Sequence, residues 1–138
     1  MIRYLRPPWF MLDTNIVSRL ARRNALVTRR IAEVPMESLC LSAVTAGELI
    51  FGLAKRPEEM WLHEAVTQLL LRVDVLPWDL ETAERYGAVR AEMERRGKVI
   101  GKLDLMIGSH ALAVGAVLVT NDRAFRHVVG LRIEDWTT

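Results

Sequence analysis

Four short apolar runs punctuate this chain: Trp9-Phe10-Met11-Leu12, Leu39-Cys40-Leu41, Val73 to Trp78, and Ala116-Val117-Leu118-Val119. Stretches with apolar residues at helical spacing separate them, so the pattern alternates strand and helix. Strands that are apolar on both faces need cover above and below, and helical crossovers supply it when the strands pair in parallel. The reading is therefore an α/β fold, a three-layer α/β/α sandwich around a central parallel sheet. At 138 residues, with a 51% hydrophobic fraction, the chain suits a single domain over 1–138.

Local signals place the elements. Asp13-Thr14-Asn15 opens a helix with Ile16, Val17 and Leu20 on one face, and Asn24 to Val34 forms a second helix closed by Pro35. A strand over Ser38 to Ser42 leads to a helix from about Thr45 to Lys55. Pro57 and Glu58 restart a helix carrying Trp61, Leu62, Ala65, Val66, Leu69 and Leu70. Asp79 begins a long charged helix that stops near Gly97, and Asp104 to Val114, apolar nearly all round, reads as a buried helix. A short helix, Gly130 and a terminal strand near Leu131 to Ile133 finish the chain. Met1 to Pro8 is the one segment expected to be ragged.

Composition narrows the function classes. The single cysteine, Cys40, lies in an apolar run and has no partner for an intramolecular disulfide or thiolate metal site, which fits a reducing cytoplasm. No apolar stretch reaches the roughly 18 residues of a membrane span, so a soluble, cytoplasmic protein is expected. Net charge is +2, with a pI near 9.0, which allows an acidic partner. His63, His110 and His127 lack metal-ligand spacing, and His110 reads as a packed structural histidine. No Gly-x-Ser-x-Gly elbow or phosphate-binding Gly-rich loop is present. Asp13-Thr14-Asn15 lacks the second acid of the Asp-x-Asp loop of aspartate-dependent phosphatases.

Four carboxylates, Asp13, Glu48, Asp104 and Asp122, each follow a hydrophobic run where a helix begins. Singly, each reads as a helix cap: Asp13, Asp104 and Asp122 at N-cap positions, and Glu48 as third residue of a Thr45-Ala46-Gly47-Glu48 capping box. Jointly they say more, because residues just past the carboxyl ends of parallel strands line the ligand crevice of an open sheet. Like charges gathered there repel, by roughly 3 kcal/mol for a pair about 5 Å apart at an effective dielectric near 20. Cations or shared protons must offset that. Oxygen-only ligation suits Mg²⁺ or Mn²⁺, and the chemistry that follows is phosphodiester hydrolysis. Between Arg85 and Lys102 cations outnumber acids. Arg95, Arg96, Lys98 and Lys102 are candidates to hold a nucleic-acid backbone, against the plainer reading of a solvated helix face.

Taken together, Met11-Leu12-Asp13-Thr14-Asn15, Thr45-Ala46-Gly47-Glu48-Leu49, Gly101-Lys102-Leu103-Asp104-Leu105-Met106-Ile107 and Val119-Thr120-Asn121-Asp122 resemble, in order and spacing, the PIN-domain nucleases, specifically the VapC toxins of bacterial toxin–antitoxin pairs. The resemblance spans essentially the whole chain apart from Met1 to Pro8. It implies a Mg²⁺- or Mn²⁺-dependent endoribonuclease that cuts structured RNA, often transfer RNA, and so arrests translation. It implies neutralisation by a VapB-type antitoxin, and pairing into homodimers within a larger toxin–antitoxin assembly. By position, Asp13, Glu48 and Asp104 match the family's acidic core, and the fourth place falls on Asp122 or its neighbour Asn121. Thr14 and Asn15 match positions that brace the first Asp, with Thr120 doing likewise for the fourth. An apolar groove near Trp61, Leu62 and the first helix is expected to receive an amphipathic antitoxin helix. The rivals to this reading are a catalytically silent PIN-like module that grips a basic partner, and a related nuclease acting on DNA.

Overall fold

A computed structural model describes residues 9–138, so the expectation about Met1 to Pro8 lies outside the described residues. Five strands form one sheet: β1 (Phe10–Leu12), β2 (Leu39–Ser42), β3 (Asp74–Leu76), β4 (Val117–Val119) and β5 (Ile133–Glu134). Their order is β3-β2-β1-β4-β5 and every pairing is parallel, as the apolar runs require. The helices are α1 (Thr14–Ala21), α2 (Ala25–Ala32), α3 (Ala43–Ala54), α4 (Met60–Arg72), α5 (Leu80–Arg95) and α6 (Lys102–Val114), with 3₁₀ turns at Met36–Ser38 and Arg123–His127.

The two-residue period of the strands divides the core into two faces. Phe10, Leu12, Leu39, Leu41, Val117 and Val119 point to one side, where Ile16 and Val17 of α1, Val27 of α2 and Leu62 and Val66 of α4 cover them. Met11, Cys40, Leu76 and Leu118 point to the other, against Ile107 and Ala111 of α6 and Phe125. Helix α5 then packs on α6 through Met93 and Leu105. This is the three-layer sandwich expected from the alternation. Helix α6 is apolar all round because sheet and α5 bury it from both sides. Gly108 permits its close approach, since a Cβ there would stand 3.3 Å from the Phe125 ring.

Connectivity fixes where a ligand can sit. From β1 the chain steps outward through β2 to β3, then returns to lay β4 on the opposite flank of β1. The carboxyl ends of β1 and β4 therefore mark the topological switch point, the usual crevice of an open α/β sheet.

Three helix starts differ from the sequence reading. Helix α3 begins at Ala43 rather than Thr45, because the Ser42 hydroxyl accepts the Val44 N–H (3.1 Å) and caps it from the end of β2. Glu48 consequently lies in the second turn and forms no capping box. Helix α6 begins at Lys102, capped by the Gly101 backbone with no side-chain bond, so Asp104 is its third residue and caps nothing. Pro57 and Glu58 belong to the turn before α4, which starts at Met60. The terminal strand is shifted to Ile133–Glu134 by its register with Leu118 and Val119. Among the described residues, no helix is long and apolar enough to cross a membrane.

Candidate metal and nucleic-acid site

Asp13 leaves β1 at the switch point and is nearly buried, at 5% exposure. It caps α1: Oδ1 accepts the Ile16 N–H at 2.9 Å, while Oδ2 accepts the Thr120 hydroxyl at 2.5 Å. The Asp13 N–H is itself bonded to the Val119 carbonyl (3.1 Å), which ties the two strand ends together. The Thr120 hydroxyl also accepts the Asp122 N–H at 3.0 Å, and Asp122 in turn caps the last 3₁₀ turn through the Ala124 N–H at 2.9 Å. One threonine thus joins the two acids that follow neighbouring strands. Glu48 reaches the same region from α3, where its Oε1 accepts the Thr14 hydroxyl at 2.6 Å. Asp104 is half-buried in the first turn of α6, and its carboxylate accepts no hydrogen bond from the described residues.

The four acids influence one another electrostatically. Burial raises the Asp13 pKa to about 6, against the bonds from Thr120 and Ile16, and the charges of Asp104 and Asp122 push it the same way. Asp104 is also raised, first by burial, then by Asp122 and Glu48. Desolvated carboxylates that repel one another favour protons or cations. Among the described residues no three Asp, Glu, His or Cys side chains gather closely enough to hold a metal ion alone. The crevice is an open arrangement rather than a closed cage. Its donor set still fits a hard divalent cation: each carboxylate keeps free lone pairs, all donors are oxygen, and Mg²⁺ keeps several waters beside one or two carboxylates.

The supporting residues are distributed differently from the sequence expectation. Thr14 braces Glu48, not Asp13, and Thr120 braces Asp13 while receiving the Asp122 amide. Asn15 is exposed, and its side chain holds no hydrogen bond among the described residues. Asn121 is half-buried, whereas the Asp122 charge is felt by both Asp13 and Asp104. Of the four cations, Arg95 is paired with Glu92 (2.6 Å) and Arg96 donates to the His127 carbonyl (2.9 Å). Lys98 and Lys102 are exposed and form no ion pair among the described residues. His110 is buried, its Nδ1 at 2.8 Å from the Ser42 hydroxyl, and burial lowers its pKa against the opposing charge of Asp79. It supports the capping serine of α3 and stands outside the acid cluster.

A groove of about 630 Å³ opens from Glu48 and Thr14 between α1, α3, α4 and the start of α6. Leu49, Leu53, Leu62, Val66 and Met106 form its apolar floor, and Arg22, Lys55 and Arg56 stand along it. Of the two residues expected to mark it, Leu62 lines the groove, whereas Trp61 is not among its lining residues and lies under the Arg22 guanidinium. Arg22, Lys55 and Phe51 carried no sequence signal, because a lone cation or aromatic on an amphipathic helix is indistinguishable from ordinary surface.

Comparison with known proteins agrees with this geometry. The family profile of the PIN domain matches residues 10–131. The tRNA(fMet)-specific endonuclease VapC of Shigella flexneri is 37% identical over 129 residues, covering 93% of this chain and 98% of the relative. Its namesake from Salmonella typhimurium is 36% identical over 128 residues, covering 92% and 97%. Among solved structures, VapBC2 from Rickettsia felis bound to a promoter DNA fragment superposes with a TM-score of 0.85 at 27% identity, over 92% of this chain and 98% of that one. DNA-bound VapBC from Salmonella typhimurium gives 0.84 at 36% identity, over 94% and 98%. A near-full-length match in sequence and in fold leaves one assignment: the chain belongs to the PIN-domain family, among the VapC ribonucleases.

Proposed function

We propose that this protein is a VapC-type toxin, an endoribonuclease that hydrolyses phosphodiester bonds in structured RNA, transfer RNA above all, and thereby inhibits translation. The observation that carries the reading is Asp13: a nearly buried carboxylate at the sheet's switch point, repelled by two neighbouring acids and raised to about 6. An arrangement that costs stability is retained where it serves a site.

Asp13, Glu48, Asp104 and Asp122 are the residues that would hold Mg²⁺ or Mn²⁺. When bound, the ion supplies positive charge against the scissile phosphate and lowers the pKa of water for attack. The chain's own contribution is orientation. Thr120 holds Asp13 ionised and fixed through its hydroxyl, Thr14 holds Glu48, and the helix cap on Asp122 limits its rotamers. Lys98 and Lys102 offer free ammonium groups to the RNA backbone beside the first turn of α6. A VapB-type antitoxin neutralises the enzyme by laying an amphipathic segment on the apolar floor of the groove, with a cation directed at the acids. Homodimers within a larger toxin–antitoxin assembly complete the proposal, in the cytoplasm.

Induction in a bacterial host tests this. The wild-type chain should arrest growth and leave new RNA ends at few positions, and Asp104→Asn or co-expression of the cognate antitoxin should restore growth. Arrest by Asp104→Asn as strong as wild type, with no new RNA ends, would refute it.

A further inference from the structure

Of the four acids, Asp104 alone lacks a bond that fixes it. Thr120 and the Ile16 N–H hold Asp13, Thr14 holds Glu48 and the Ala124 N–H holds Asp122, whereas the Asp104 carboxylate accepts no hydrogen bond among the described residues. Its place is therefore set by the placement of α6, whose first turn rests on the Gly101 backbone with no side-chain cap. Ile107 and Ala111 seat α6 in an apolar cluster that includes Val44 of α3, but that attraction is non-directional.

One directional contact joins the two helices. Ser42, fully buried at the start of α3, accepts the Val44 N–H at 3.1 Å, which leaves its own hydroxyl proton for Nδ1 of His110, 2.8 Å away on α6. Burial keeps the imidazole neutral and so able to accept that proton, and Trp78 meets the ring edge to face at 5.6 Å between centroids. Among the described residues this is the only side-chain hydrogen bond between α3, with its cap, and α6. Thr45 and Ser109 are buried near its two ends, yet their hydroxyl oxygens find no partner and add no second tie.

Spacing gives the bond its consequence. Glu48 lies six positions after Ser42 and Asp104 six positions before His110, about 9 Å of helix in each case at 1.5 Å per residue. Glu48 and Asp104 also meet: the Glu48 charge acts on Asp104, and Val44 and Glu48 of α3 line one groove with Leu103 and Met106 of α6. The hydrogen bond and the acid pair thus stand at opposite ends of one antiparallel helix contact, and rigid helices carry a shift at one end to the other. We propose that His110 is a positioning residue for the divalent cation: through Ser42 it fixes the separation of Glu48 and Asp104, and with it the fit of the crevice to an ion that demands near-ideal octahedral geometry. This rests on the reading of the four acids as a metal site and adds a residue that is itself no ligand. An apolar side chain would fill the same place in α6 with no polar group to bury, but it would not hold α3.

Mn²⁺ binding by the whole chain, read from the electron paramagnetic resonance of the free ion, tests this apart from catalysis. His110→Phe keeps a ring against Trp78 and removes the hydrogen bond; folded by circular dichroism, it should bind Mn²⁺ about 10-fold more weakly, the lower end of what losing a ligand-orienting partner costs. His110→Asn keeps a polar atom near the place of Nδ1 and should recover most of that affinity, although its smaller side chain leaves a cavity and makes it the less stable of the two. Affinity and stability therefore rank the pair in opposite orders. Ser42→Ala against Ser42→Thr repeats the comparison from α3 without altering α6, and Ser42→Ala combined with His110→Phe should bind no more weakly than the weaker single variant, since both remove one bond. Thr45→Val, which deletes a buried hydroxyl from the first turn of α3 and leaves the bond alone, should bind as wild type does. Affinity that simply follows melting temperature across the set, or a folded His110→Phe that binds like wild type, would overturn the inference. Wild-type protein with no affinity for Mn²⁺ fails the metal reading of the crevice and this inference with it; wild type that binds Mn²⁺ and cuts RNA, with affinity indifferent to Ser42 and His110, fails the inference alone.

Discussion

Replacing Asp13 by Asn should make the metal-free protein more stable, although it removes the residue most central to the site. In the folded chain the carboxyl titrates at about 6 against an ordinary 3.8. At about 1.36 kcal/mol per unit, keeping Asp13 ionised at neutral pH costs about 3 kcal/mol. Asn carries no charge and still accepts the Ile16 N–H through Oδ1, but it loses the acceptor for the Thr120 hydroxyl, worth about 1 kcal/mol. The net gain is about 1–2 kcal/mol, or roughly 3–8 °C in Tm for a domain of this size. The sign follows from linkage: a carboxyl whose folded pKa is raised binds its proton more tightly in the folded state. Its contribution is fully present below about pH 4 and lost as pH rises through about 6. Melting curves in EDTA at intervals from pH 4 to pH 8 should therefore show Asp13→Asn no better than wild type at the acid end and ahead at the neutral end. A variant less stable than wild type at pH 7.5, or an advantage independent of pH, would refute the burial argument.

Other consequences follow from single side chains. Thr120→Val removes the donor to Asp13 and the acceptor for the Asp122 amide, so Asp13 should titrate at still higher pH and the acid limb of RNA cleavage should shift upward; an unmoved pH profile would deny Thr120 that positioning role. Trp136 is fully buried, packs on Phe10 at 5.1 Å between centroids and donates to Glu134, which Arg30 also holds. Trp136→Ala should cost about 3–5 kcal/mol in denaturant unfolding, and a cost below about 1 kcal/mol would show that the carboxyl-terminal latch does not secure the edge strand β5. Thr45 is fully buried with an Oγ1 that finds no partner among the described residues. Thr45→Val should therefore be neutral or stabilising by about 1 kcal/mol, and a loss of more than that would reveal a bond to the hydroxyl.

The layer architecture was legible because the three central strands, β1, β2 and β4, are short apolar runs buried on both faces, as a doubly covered parallel sheet requires. Asp13 and Asp122 were legible as caps and crevice acids at once, since a side chain just past a strand can accept an amide with one oxygen and face the cleft with the other. Glu48 and Asp104 were singled out partly for a local reason that the structure overturns. Ser42, inside the second apolar run, takes the cap that Thr45 was expected to form, and Gly101 takes the one expected of Asp104. Capping depends on φ and ψ at one residue, and sequence pattern does not fix those. The exchange of braces, Thr14 to Glu48 and Thr120 to Asp13, was invisible because those contacts span 34 and 107 positions. The division among the cations was equally hidden: Arg95 and Arg96 are spent on Glu92 and the His127 carbonyl, a matter of which helix face meets which turn.

Cleavage of purified transfer RNA by the purified chain tests the acid crevice most directly, read as product ends on a denaturing gel with Mg²⁺ or Mn²⁺, with excess EDTA, and with Asp104→Asn in place of wild type. Defined fragments from wild type with either metal, and none with EDTA or with the folded variant, are the predicted result. Fragments of the same ends and yield in excess EDTA, or from Asp104→Asn, would contradict a metal-dependent site built on these four acids.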